Sequence, residues 1–117
     1  MPPTILVVDD EPDIARTLAE LFADEGYRVR RAHDGRQALD LIDRDPPDLV
    51  VSDVRMPLVD GVTLARRLRD RGDRTPVVLM SAGYAAVDLP GIRFVPKPFD
   101  LDHLLEVVGR VIGAAEP

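Results

Sequence analysis

The run Leu49-Val50-Val51-Ser52-Asp53 is apolar on both alternating faces and stops on a carboxylate. Such a run suits a central strand of a parallel sheet, because crossover helices cover both faces of that sheet. Ending it on an acid is costly in an apolar interior that offers no partner. The cost falls at the carboxyl edge of an open α/β sheet, where ligands gather near the point at which strand order reverses. A second run, Ile5-Leu6-Val7-Val8, ends the same way on Asp9-Asp10. If these two strands are neighbours, three carboxylates converge in a small volume. A cluster of that kind needs a shared proton or a divalent cation.

Around these two runs the chain alternates helix and strand signals. Pro12 opens a helix whose Ile14, Leu18, Leu21 and Phe22 share a face, and Gly26 ends it. Arg28-Val29-Arg30-Arg31-Ala32 mixes charged and apolar residues as a half-exposed edge strand does. Asp34 caps a helix in which Gln37 completes a capping-box spacing, with Ala38, Leu39 and Ile42 inward and Pro46-Pro47 as a stop. Met56-Pro57 then makes a loop, and Asp60-Gly61 precede a helix with Val62, Leu64, Ala65 and Leu68 that stops near Gly72. Val77-Val78-Leu79-Met80 is a further buried strand ending on Ser81, and Ile92 to Val95 forms a last strand followed by Lys97-Pro98. Asp100 caps a final helix with an apolar stripe of Leu101, Leu104, Leu105, Val108, Val111 and Ile112, and residues 113–117 are expected to fray.

Five strands alternating with helices predict a three-layer α/β sandwich with a parallel sheet. Apolar middle runs flanked by mixed second and fifth strands match the flavodoxin-like order 2-1-3-4-5. The first and third strands are then adjacent, and Asp9, Asp10, Asp53, Ser81 and Lys97 share one rim. A length of 117 residues suits one domain, taken as 1–117 with a core of about 4–112. The net charge of −6 disfavours direct nucleic-acid or acidic-membrane binding. The sequence has no cysteine, which excludes thiolate metal sites and fits a reducing cytoplasm. It has no run of about eighteen apolar residues and no N-terminal h-region, so neither a membrane span nor export is expected.

The rim residues carry a resemblance. Asp9-Asp10 follow the first strand, Asp53 the third with Met56-Pro57 and Asp60-Gly61 behind it, Ser81 the fourth and Lys97-Pro98-Phe99 the fifth. In that order and context, from about Thr4 to Ile112, the chain resembles a response-regulator receiver domain of two-component phosphorelay signalling. The resemblance implies that Asp53 accepts a phosphoryl group from a histidine kinase or a histidine phosphotransfer protein. It implies Mg²⁺ (or Mn²⁺) held by the Asp10 and Asp53 carboxylates and the Arg55 backbone carbonyl, with Asp9 acting through water. Lys97 and Ser81 then each serve a phosphoryl oxygen, and Ser81 and Phe94 form the switch through which a downstream protein is controlled. Phe94 stands where the family has an inward-turning aromatic residue. Lacking a hydroxyl, it is expected to stay largely buried in both states.

The segment between Ser81 and Lys97 departs from the family. It holds Gly83, Pro90 and Gly91, and leaves room for at most a turn or so of helix around residues 85–88. The family's fourth helix is therefore expected to be short, irregular or missing. Output through the usual dimer face beside it is not expected, and the segment is expected to order only on phosphorylation or partner binding. Arg55 and Gly83 flank the expected path of the water that hydrolyses the acyl phosphate, and the sign of the Arg55 effect on its lifetime is open. His33 and His103 are expected to face solvent. On this reading the chain is a switching module that modifies only itself and turns over no external metabolite. A flavin carrier of similar fold needs a hydroxyl-rich phosphate cradle where this chain has Asp9-Asp10-Glu11. An aspartyl-phosphate hydrolase needs two acids one residue apart after the first strand, and Asp9-Asp10 lacks that spacing.

Overall fold

The computed structural model describes residues 2–81, 89–98 and 100–115. Its elements run β1 (Thr4–Val8), α1 (Pro12–Asp24), β2 (Arg28–Ala32), α2 (Gly35–Arg44), β3 (Leu49–Asp53), α3 (Gly61–Asp70), β4 (Val77–Ser81), β5 (Ile92–Pro96) and α4 (Leu101–Ala115). The five strands form one parallel sheet in the order β2-β1-β3-β4-β5, as the distribution of apolar and mixed runs predicts. The turn of helix expected around residues 85–88 lies outside the described residues.

Period-two alternation along the strands divides the interior into two half-cores. Ile5, Val7, Leu49, Val51, Val78, Met80 and Val95 pack with Leu18 and Phe22 of α1 and Leu104 and Val108 of α4. Leu6, Val8, Val50, Val77 and Leu79 point the other way, against Ala38 and Ile42 of α2 and Leu64 and Leu68 of α3. The sheet is thus sealed by α1 and α4 on one face and by α2 and α3 on the other. Apart from Thr4, Ser52, Asp53 and Ser81, the three inner strands are apolar, because neither of their faces meets water.

Helix starts follow the predicted chemistry with one variation. Asp34 and Asp60 accept hydrogen bonds from the Gln37 and Thr63 N–H groups, and Asp100 accepts from the Asp102 N–H. The Gln37 side chain does not return to the Asp34 N–H as a capping box requires. Its Oε1 instead accepts from the His33 N–H at 2.7 Å, one residue earlier, because the extended Asp34 backbone turns its own N–H away. At the other end of the chain, α4 continues through Gly113 to Ala115 where fraying is expected. Two alanines, the best helix formers, carry the last turn past the glycine. Leu101 is 42% exposed and so does not join the predicted stripe, whereas Leu104, Val108 and Ile112 are buried. At the first turn of α4 the helix surface has not yet come down onto the sheet.

Two contacts fix strand ends, one at the entry edge of the sheet and one at the rim. Arg69 of α3 donates from Nε to the Pro90 carbonyl at 2.7 Å and from Nη1 to the Asp73 carbonyl at 3.0 Å, which ties the last turn of α3 to the entry of β5. Gly61, first residue of α3, sits against the end of β3. A Cβ placed there would overlap the Asp53 carbonyl oxygen and lie 2.9 Å from Leu79 Cδ2. Backbone cannot retreat as a side-chain tip can, so Gly61→Ala should destabilise the protein by about 3 kcal/mol, read as a lowered urea midpoint. An unchanged midpoint would show that the approach of α3 to β3 is soft.

Candidate functional site

Asp9, Asp53 and Lys97 continue the strand alternation that faces α1 and α4, one at the end of each of β1, β3 and β5. Their convergence follows from topology, since β1 pairs with β3, and β4 lies between β3 and β5. Asp53 pairs with Met80 in register, and Ser81 with Pro96, so Ser81 and Lys97 each project one residue beyond a neighbour's partner. The Lys97 N–H donates to the Ser81 carbonyl at 2.7 Å and closes the rim at that side. The Lys97-Pro98 peptide is cis.

Carboxylate oxygens of Asp9, Asp10 and Asp53 lie within 4.8 Å of one another. Lys97 Nζ stands 3.1 Å from Asp53 Oδ1, with both side chains largely enclosed. Three carboxylates facing one ammonium leave formal negative charge to be balanced in a half-buried volume. Asp9 is the most enclosed of the three, 1% exposed against 8% for Asp53. Burial is the main cause that raises its carboxyl above the ordinary carboxylate range, and Asp53 and Asp10 add to it. The Glu11 N–H and Lys97 act the other way. Asp9 Oδ1 accepts the Glu11 N–H at 2.9 Å, while Oδ2 is enclosed with no hydrogen-bond partner among the described residues. An orphaned acceptor among hard oxygen donors is what a divalent cation satisfies, so this cluster can hold a metal.

Asp10 is exposed and forms one wall of an open cleft whose other wall is the β3–α3 loop, with Val54, Arg55, Met56, Pro57 and Asp60. The Gly61 N–H donates to the Val54 carbonyl at 2.8 Å and pinches the base of that loop. Ser52, buried within β3, donates its hydroxyl to the Asp53 carbonyl at 2.8 Å. Leu58 was not singled out by its residue type, yet it has φ +69° and is 75% exposed. The Val59 N–H bonds back to the Pro57 carbonyl at 2.9 Å, so Leu58 is the centre of a γ-turn in a region that leucine rarely enters. Leu58→Gly should remove that strain and raise stability by about 1 kcal/mol, roughly 4 °C in Tm. A lower Tm would mean that the leucine packs more than its exposure implies.

Ser81 and Phe94 take the opposite alternation. Phe94 pairs in register with Leu79 and packs against the half-core under α2 and α3, and Ser81 follows Leu79 by two residues. Phe94 is half-buried, on the edge strand of the sheet formed by the described residues. His33 and His103 face solvent as predicted. His33 Nδ1 lies 3.1 Å from Asp34 Oδ2. Gly83 lies outside the described residues.

Sheet order and rim together define a doubly wound α/β domain with an acid–ammonium site at its switch point. The chain belongs to the response regulator receiver domain family, whose model matches residues 5–109. It is 43% identical over 123 residues to response regulator MprA of Mycolicibacterium vanbaalenii, covering 100% of this chain and 53% of that protein. Against response regulator MprA of Mycobacterium avium the identity is 38% over 119 residues, covering 97% of this chain and 52% of the relative. The chain thus spans about half the length of the curated relatives it matches. Among solved structures, the receiver domain of Francisella response regulator 1452 aligns with a TM-score of 0.87 at 31% identity, covering 97% of this chain and 99% of that one. Vibrio cholerae chemotaxis protein CheY4 aligns with a TM-score of 0.85 at 27% identity, covering 95% and 99%. At the level of the family, the chain's function is that of a phosphorelay receiver in two-component signalling, which implies a kinase partner. Among the described residues no helix is long and apolar enough to cross a membrane.

Proposed function

We propose that this chain is a single receiver domain, with its core at about 4–112, that takes a phosphoryl group onto Asp53 from a phosphohistidine on a histidine kinase or phosphotransfer protein. An Asp53 carboxylate oxygen attacks phosphorus, the P–N bond to the donor imidazole breaks, and the acyl phosphate remains on Asp53. The observation that carries this reading is the 3.1 Å pairing of Lys97 with Asp53 inside a cluster that also contains Asp9 and Asp10. Such a loose transfer needs positioning and charge neutralisation more than covalent assistance. Lys97 holds the nucleophile before transfer and follows the added charge to a phosphoryl oxygen afterwards.

Mg²⁺, or Mn²⁺ in its place, would be held by Asp10, Asp53 and the Arg55 carbonyl, with Asp9 acting through water. When bound, the ion supplies positive charge to the transferring phosphoryl oxygens. Ser81 supplies a hydroxyl to another oxygen, and its movement is transmitted to Phe94, which shares its face of the sheet. Arg55 is exposed and sets the lifetime of the acyl phosphate by its charge near the water path. The module turns over no external metabolite, acts in the cytoplasm, and passes its signal to a protein rather than directly to nucleic acid or membrane.

The test is intact mass after incubation with a small-molecule phosphodonor. One phosphoryl group is expected in the presence of Mg²⁺ and essentially none with excess chelator. Equal incorporation under both conditions would remove the cation from the mechanism.

A further inference from the structure

We propose that Gly35 is a positioning residue for the acidic pocket, acting across the fold through Val59 of the β3–α3 loop. This rests on the metal-assisted reading of the site given above. Gly35 is the first residue of α2, is buried, and its φ lies outside the left-handed region that would itself require glycine. What glycine supplies there is space, and Val59 uses all of it. A Cβ on Gly35 would overlap the Val59 carbonyl oxygen and would lie 2.6 Å from Val59 Cβ and 2.8 Å from Cγ1. The nearest obstacle is backbone, so the loop itself would have to move.

That loop is anchored twice. Its base is closed locally by the Gly61 N–H on the Val54 carbonyl. Its far side is held by Val59, 5% exposed, seated on Gly35 and packed in the half-core with Ala38. Between the anchors lie Arg55, the expected carbonyl ligand, and the γ-turn at Leu58. With only the base fixed, the segment could pivot away from Asp10, the residue across the cleft. Seating Val59 on Gly35 therefore fixes the distance between the Arg55 carbonyl and the carboxylates. A strained turn persists only where its surroundings over-determine it, and the Gly35 contact is one such constraint.

Mn²⁺ binding to the unphosphorylated protein, followed by electron paramagnetic resonance of the free ion, tests this directly. Gly35→Ala should raise the Mn²⁺ Kd about tenfold, and Val59→Ala, which loosens the seat without a clash, several-fold. Gly72→Ala serves as control. It strains a left-handed glycine near the last turn of α3, with nothing within 4 Å of the new Cβ, and should lower Tm while leaving the Kd unchanged. A purely structural role for Gly35 would show as lowered Tm with wild-type affinity. A Kd within twofold of wild type for Gly35→Ala overturns the proposal. If that variant does not fold, the same result for Val59→Ala does so. Failure of the wild-type protein itself to bind Mn²⁺ would instead overturn the reading of the site.

Discussion

Under conditions that place one phosphoryl group on the wild-type protein, Asp53→Asn should gain no mass. Asp9 and Asp10 each have a carboxylate oxygen within 4.8 Å of one on Asp53, so the experiment discriminates among acids of similar chemistry. Asp53 is distinguished by its ion pair and by its placement: 8% exposed, at the tip of β3, with Lys97 Nζ at 3.1 Å. The amide is nearly isosteric and keeps an acceptor for the ammonium, so the fold should survive while the nucleophile is lost. The change in rate should exceed about a hundredfold, the scale expected when the attacking group itself is removed. Residual incorporation at the wild-type rate would move the acceptor to Asp9 or Asp10 and leave Asp53 with a structural role.

Asp9→Asn should act in opposite directions on stability and on cation affinity. The Asp9 carboxyl is raised in the folded state, so over a window above the ordinary carboxylate value the native protein holds a proton that the unfolded chain has released. Stability then falls as pH rises through the folded value, and the cost is complete above it. Removing the charge should stabilise the metal-free protein at pH 7 by about 1 kcal/mol, roughly 4 °C in Tm. The gain should shrink as pH is lowered toward the window in which wild-type Asp9 is itself protonated. Asparagine can still accept the Glu11 N–H, so the turn into α1 is kept. Mg²⁺ affinity should meanwhile fall about 10–100-fold, the usual scale for a group that acts on the ion through water. A destabilised metal-free variant would mean that Asp9 serves the fold more than the site.

Much of this was legible because the informative residues lie at strand ends. Uninterrupted apolar runs marked β1, β3 and β4 as interior, the mixed composition of β2 and β5 marked the edges, and order alone then brought Asp9, Asp53 and Lys97 to one rim. What remained hidden depends on contacts between segments distant in sequence. Gly35 reads as an unremarkable start to α2, and only the folded chain brings Val59 against it. Gly61 reads as the residue after a cap, and its contact with the Asp53 carbonyl is invisible to periodicity. Leucine carries no signal for a left-handed conformation, so Leu58 could not be found by type. The edge position of β5, which carries Phe94, was already contained in the strand order.

Asp9, Asp53 and Lys97 lie toward α1 and α4, whereas Ser81 and Phe94 lie toward α2 and α3. The carboxylates that would be loaded and the ring that would respond therefore sit on opposite faces of one sheet, so a change at the rim has to cross that sheet, by way of Ser81, to reach the ring.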